Sequence, residues 1–129
     1  MFKELQKSQW VTSFLLLILV STVSASQESD IPFLRSLDRN STEIKTLRKQ
    51  VRTSLYVIKS GRNPSQIPEL KFYKYQVKKN DTFWTILAKT SLNMDTLITA
   101  NNLATPRDIA TGETIYIPNM RGIIYSREK

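Results

Sequence analysis

The 129-residue chain contains no cysteine and no histidine, and these absences narrow what it can do. Without cysteine the chain has no disulfide framework and no thiol to carry a lipid anchor. Without histidine, Ser-His and Cys-His nucleophilic machinery and histidine-ligated zinc sites are excluded. A hydrolase that uses a pair of carboxylates remains compatible with the composition. We expect no cofactor, no metal site and no catalytic residues in this chain.

Positive charge is in excess, with a net charge of +8. Charge alone suits nucleic acid, anionic lipid headgroups and acidic wall polymers equally well, so it does not select a partner. Residues 26–73 hold nine basic and five acidic side chains, whereas residues 74–118 hold five and four. No aromatic-basic recognition pattern accompanies these charges, and we therefore expect no nucleic-acid partner.

The first 25 residues have the features of a secretory signal peptide. Lys3 and Lys7 make the start basic, and Val11–Val20 is an apolar core. This core is shorter than the roughly 20 apolar residues that span a bilayer. Small residues precede a cleavage point after Ala25. We expect export to the periplasm, the cell wall or the cell surface; an uncleaved segment would instead anchor the chain in a membrane.

Residues 26–70 are expected to be a linker region that contains an amphipathic helix over about 41–59. Asn40 is the expected N-cap, with Glu43 reaching back to it, and Gly61 ends the helix. Apolar residues recur at helical spacing, at Ile44, Leu47, Val51, Leu55 and Ile58. The apolar face has three alternative uses: packing on the C-terminal domain, binding a partner protein, or lying on a membrane surface.

Residues 71–118 have the pattern of a small α+β domain, followed by a tail over 119–129. Alternating aromatic residues predict a strand over Phe72–Val77, and Thr114–Ile117 predicts a second. Two short helices lie between them, with Asp81 and Asn93 as their expected N-caps. The two strands must pair antiparallel to close so small a unit, with a domain boundary near Leu70. The expected core consists of Val77, Ile86, Leu87, Leu97, Ile98, Leu103, Ile109, Ile115 and Ile117.

Residues 75–118 closely resemble the LysM (lysin motif) family. Asn80-Asp81-Thr82 is similar to the family's Gly-Asp-Thr signature, with Asn80 in place of glycine and expected to keep a left-handed turn. Asn101-Asn102-Leu103 resembles its Asn-x-Leu helix exit, and residues 112–118 resemble its closing strand. The resemblance implies a single βααβ module in an exported bacterial-type protein, with a two-stranded antiparallel sheet and two helices on one face.

The resemblance also implies where a glycan would bind. In LysM modules the sugar lies in a shallow groove between the loop before the first helix and the loop after the second. Phe83, Leu103 or Ile109 would supply an apolar floor for the N-acetyl methyl group, and Arg107 would contact acidic stem peptide. The implied glycan-binding residues are Asn80, Asp81, Thr82, Phe83, Leu103, Ala104, Thr105, Pro106, Arg107 and Ile109.

The expected function is therefore non-catalytic binding of peptidoglycan or a chitin-type N-acetylglucosamine polymer outside the cell. One alternative is that the chain is the N-terminal targeting portion of a longer LysM-containing wall endopeptidase or hydrolase. Another is an envelope interaction protein that docks a partner through the helix at 41–59.

Overall fold

Three helices and three short strands make up the part of the chain that the computed structural model describes, residues 30–125. The elements are β1 (Phe33–Leu34), α1 (Thr42–Ser60), β2 (Phe72–Gln76), α2 (Phe83–Thr90), α3 (Met94–Ala100) and β3 (Thr114–Pro118). Short 3-10 helices occur at Pro64–Gln66 and Pro106–Asp108. The signal peptide expected at residues 1–25 lies outside the described residues, as do the last four residues of the tail.

The sheet has the order β1-β2-β3. Strands β2 and β3 pair antiparallel from Phe72 opposite Pro118 to Gln76 opposite Thr114, which confirms the predicted pairing. The expected two-stranded sheet gains a third strand, because β1 pairs parallel with β2 and the Lys74 amide donates to the Pro32 carbonyl at 2.9 Å. A two-residue strand is too short to show alternation in sequence, so the sequence analysis does not predict it.

Helix α1 begins and ends almost as predicted, but its N-cap is Ser41 rather than Asn40. The Ser41 hydroxyl accepts a hydrogen bond from the Ile44 amide at 3.3 Å. Instead, the backbone amide of Asn40 donates a hydrogen bond to the Asp38 carboxylate at 2.9 Å, within the turn before the helix. Gly61 ends the helix at φ 62°, a left-handed conformation that glycine adopts without strain, as predicted.

The apolar face of α1 packs into the same hydrophobic cluster as the C-terminal strands and helices. Ile44, Leu47 and Val51 are each 0% exposed. Of the three alternatives for this face, packing on the C-terminal domain is therefore the one observed. Ile58 was wrongly placed on this face, since it is 60% exposed and Val57 is buried instead.

The rest of the predicted core is largely confirmed. Val77, Ile86, Leu97, Ile115 and Ile117 are buried, while the other four predicted members pack against the cluster and are partly exposed. Five further residues belong to the buried cluster although the sequence analysis did not include them in the core: Leu34, Leu37, Tyr75, Phe83 and Leu92.

The cluster takes residues from both sides of Leu70, so the boundary expected there does not separate two cores. Whether it is a domain boundary stays a prediction. Within residues 30–125, no helix has the length and apolar character needed to cross a membrane.

Candidate functional site

The two candidate glycan-binding loops leave the sheet at the same end. The first loop follows β2 and the second precedes β3, and the last residue of β2, Gln76, pairs with the first of β3, Thr114. Beyond that pair, the Val77 amide donates to the Glu113 carbonyl at 2.9 Å, and the Gly112 amide donates to the Val77 carbonyl at 2.8 Å. The antiparallel ladder thus places at one end of the sheet two loops that α2 and α3 separate in sequence.

Asp81 organises the first loop, but it is not the N-cap of α2, and that prediction was wrong. Its carboxylate accepts hydrogen bonds from the Tyr75 hydroxyl and from the Lys78 amide, the latter at 3.0 Å. The Lys89 ammonium lies 3.1 Å from the other carboxylate oxygen. With its side chain 5% exposed, Asp81 ties β2, the loop and the end of α2 together.

The contacts of Asp81 also change its acidity and that of its neighbour. Burial alone would raise the pKa of the Asp81 carboxyl, but the hydrogen bonds from Tyr75, the Lys78 amide and Lys89 outweigh burial and lower this pKa below its usual value. Burial, together with the hydrogen bond to Asp81 and its negative charge, raises the pKa of the Tyr75 hydroxyl. Asp81 is therefore a charged structural anchor at neutral pH.

The N-cap of α2 is Thr82, the residue after the predicted one. Its hydroxyl accepts from the Thr85 amide at 3.1 Å, and its amide donates to the Thr85 hydroxyl at 2.8 Å. This reciprocal pair is a capping box in which threonine replaces the usual Glu or Gln. Sequence reasoning missed it because Asp81 is an equally good cap by residue type, and the choice depends on the Tyr75 and Lys89 contacts.

Asn80 does not adopt the left-handed conformation expected where the family has glycine. Among the non-glycine residues at positions 30–125, Ser91 and Asn102 have positive φ, and Asn80 does not. The turn is closed by the Asp81 amide, which donates to the Lys78 carbonyl at 2.9 Å. The replacement of glycine by Asn80 therefore imposes no backbone strain, and the residue is exposed.

Two aromatic residues at the start of α2 have opposite environments. Phe83 is 3% exposed and belongs to the core, whereas Trp84 is 61% exposed. Their rings are 5.3 Å apart between centroids and meet at 84°, in an edge-to-face arrangement. Trp84 was not among the predicted site residues. The helical spacing of Phe83, Ile86 and Thr90 defines the buried face and could have shown that Trp84 lies off it.

The second loop is stiffened by its own capping box. The Thr105 amide and hydroxyl donate to the Asp108 carboxylate at 2.7 and 3.1 Å, and the Arg107 amide donates to the Thr105 hydroxyl at 3.2 Å. These bonds from Thr105 lower the pKa of the Asp108 carboxyl. Leu103 and Ile109 bracket the loop and pack against the cluster that contains Phe83.

Asn101 fixes the start of the second loop to the sheet. Its side-chain amide donates to the Tyr116 carbonyl at 2.9 Å and accepts from the Tyr116 amide at 2.6 Å, so it continues the ladder on the free edge of β3. The same side chain donates to the Leu97 carbonyl at 2.9 Å. Asn102 then takes the left-handed conformation, at φ 49°, which asparagine tolerates at a helix end.

The structure gives the predicted site residues three different environments. Asn80, Ala104 and Arg107 are exposed, and Thr82 and Thr105 are exposed but engaged in capping. The remaining members are half-buried or buried: Asp81, Phe83, Leu103, Pro106 and Ile109.

An open cleft of about 620 Å³ lies beside the first loop, between it and the turn before α1. Of the predicted site residues, Asp81 alone lines this cleft. Its other walls are Ser36, Leu37, Asp38, Arg39, Asn40, Tyr75, Lys78, Thr85, Ala88 and Lys89.

Comparison with known proteins agrees with this geometry. Residues 75–118 match the family model of the LysM domain. No curated protein and no solved structure gives a significant match to the chain. LysM domains bind peptidoglycan or chitin-type glycans and usually occur in extracellular or cell-surface proteins. With the βααβ order, the antiparallel pairing and the two loops at one end of the sheet, residues 75–118 of this chain are a LysM domain.

Proposed function

We propose that this chain is an exported, non-catalytic protein that binds a cell-wall glycan of the peptidoglycan type through the two loops. The observation that carries the proposal is the LysM match over residues 75–118, together with the convergence of both loops at one end of the sheet. The matched family binds glycans, and no catalytic role is part of that match.

The loops suit a shallow glycan site because both are held before the ligand arrives. Asp81 fixes the first loop and the Thr105–Asp108 capping box fixes the second, so binding orders few additional groups. Exposed Asn80, Ala104 and Arg107 offer polar atoms to an N-acetyl sugar, and half-buried Leu103 and Ile109 offer an apolar floor.

From the sequence, Phe83 is expected to be the aromatic residue that contacts the sugar, whereas the exposure of the side chains favours the neighbouring Trp84. Phe83 is 3% exposed and lies in the core cluster, so we assign it a packing role rather than a sugar contact. Trp84, exposed at the start of α2, presents a flat apolar face next to the first loop. Aromatic faces of this kind pack well against the C–H groups of sugar rings, so we add Trp84 to the proposed site.

The test is depletion of the full chain from solution by purified, protein-free peptidoglycan and by chitin. The full chain is needed because α1 supplies Ile44, Leu47 and Val51 to the core. Ala104→Arg should block the site, since Ala104 is exposed and the long side chain would fill it. Trp84→Ala should weaken binding about tenfold if a stacked aromatic contributes on the order of 1–2 kcal/mol. Ser65→Arg adds the same charge at an exposed position outside the loops and should bind like the wild type.

Failure of the wild-type chain to bind either polymer would overturn the proposal. Loss of turbidity of a wall suspension on adding the chain would contradict the non-catalytic role. Export is tested separately, by mass spectrometry of the chain recovered from a bacterial host. Processing after Ala25 supports it, and an intact N-terminus in the cytoplasmic fraction opposes it.

A further inference from the structure

Five basic side chains meet in one open cleft of about 390 Å³ alongside α1. Four of them recur at helical spacing on α1, and the fifth comes from the turn before the helix. We define the basic cluster as the five basic residues that line this cleft, namely Arg39, Lys45, Arg48, Lys49 and Arg52. Thr53 completes the lining. The helical spacing of the four basic residues on α1 can be recognised from the sequence. That Arg39 lies in the same cleft is known only from the folded structure.

No carboxylate within residues 30–125 forms an ion pair with the basic cluster. The two ion pairs of the described residues join Lys71 to Glu69 and Lys89 to Asp81. The acidic residue of α1, Glu43, precedes Lys45 by two positions and therefore lies on another face. An anion that entered this cleft would face several positive side chains at once.

The cleft of the basic cluster adjoins the larger cleft beside the first glycan loop. Arg39 lines both the cluster's cleft and the 620 Å³ cleft, and Asp81 of the first loop lines the latter. Arg48 also reaches the far end of α2, where its Nε donates to the Ser91 hydroxyl at 3.1 Å. Helix α2 has eight residues and is about 12 Å long, so the cluster lies roughly one short helix from the loops.

We propose that the basic cluster binds the carboxylates of the peptide substituents on the wall glycan held by the two loops. This inference rests on the proposed function. Arginine and lysine recognise carboxylates by charge-assisted hydrogen bonds. A peptide attached to a glycan already in the loops is presented at high effective concentration, so even weak contacts add to affinity. Insertion into a membrane is disfavoured, because the apolar face of α1 is used in the core.

The experiment compares three polymers with the full chain: peptidoglycan that carries its peptides, the same strands after enzymatic removal of the peptides, and chitin. The wild type should bind the peptide-bearing polymer about tenfold more tightly than the other two. The preference should fall as salt is raised, since exposed charges are screened.

The decisive variant combines Lys45→Gln, Lys49→Gln and Arg52→Gln, three exposed positions in the cluster. It should lose the preference for peptide-bearing strands and keep its binding to stripped strands. The matched control combines Lys59→Gln, Arg62→Gln and Lys71→Gln, removes the same charge from exposed positions outside the cleft, and should keep the preference.

Equal wild-type affinity for the peptide-bearing and stripped strands would overturn the inference, as would equal losses in the two triple variants. Cluster-dependent binding of DNA or anionic vesicles as tight as that of peptide-bearing strands would also overturn it, because the cluster would then be a general polyanion site. Failure of the proposed function looks different: the wild type would bind neither stripped strands nor chitin.

Discussion

Leu47→Ala tests whether α1 is part of the folded LysM unit. Leu47 is 0% exposed and lies in the cluster with the LysM strands and helices. Truncation of a fully buried leucine costs about 2–5 kcal/mol, since it removes transfer free energy and leaves a cavity. For a small domain with a urea m-value of about 1–3 kcal/mol/M, the unfolding midpoint should fall by roughly 1–3 M.

The measurement is urea unfolding followed by tryptophan fluorescence in a Trp10→Phe background. The chain contains two tryptophans, so Trp84 then reports on the LysM helix α2 alone. Far-ultraviolet circular dichroism of the same samples reports on all helices, including α1. Both probes should show one transition, displaced equally in Leu47→Ala. Ile58→Ala on the same helix is the control, because that side chain is 60% exposed and should shift the midpoint little.

A different result would refute the shared core. If the Trp84 transition of Leu47→Ala coincided with that of the wild type while the dichroism changed, α1 would unfold independently of the LysM domain. Should Leu47→Ala fail to fold at all, Leu47→Val provides a milder cavity at the same site, and the same coincidence of probes is required.

Two further predictions concern the residues that hold the loops. Asp81→Asn should destabilise the chain by about 1–2 kcal/mol at pH 7, because a buried carboxylate with three hydrogen bonds loses its charge. The lowered pKa of Asp81 means that its stabilisation is present above the ordinary value of about 3.9 and is lost as pH falls through the folded-state value. Thermal unfolding below pH 4 should therefore depend less on pH in the variant than in the wild type; an unchanged dependence would contradict this. Asn101→Ala should cost about 1–3 kcal/mol, because the Tyr116 amide and carbonyl lose their partner. Calorimetry measures this, and a loss below 0.5 kcal/mol, about the level of a neutral surface change, would count against the ladder role.

Elements with strong local patterns were predicted well. Helix α1 has a sustained apolar period and a glycine stop, and its bounds were placed within a residue of those observed. The closing strand, predicted over Thr114–Ile117 and observed over Thr114–Pro118, also follows from local chemistry. In each case the interactions that determine the element join residues that are close together along the chain, so a short stretch of sequence is enough to predict it.

Features that depend on distant partners were not predicted. Strand β1 exists because Phe33 and Leu34 find β2 about 40 residues later. The cap of α2 shifted from Asp81 to Thr82 because Tyr75 and Lys89 occupy the carboxylate. Asp81 and Thr82 are about equally suited to be the N-cap by residue type, so contacts from other elements determine which of them caps the helix.

The same division applies to function. The sequence by itself determined the LysM pattern over residues 75–118 and the absence of histidine and cysteine chemistry, since motif order and composition require no coordinates. The tertiary structure decided that α1 completes the core, that Trp84 faces solvent while Phe83 does not, and that Arg39 joins the cations of α1 in one cleft. Burial and charge proximity are set by which elements pack together, and packing is a property of the whole folded chain.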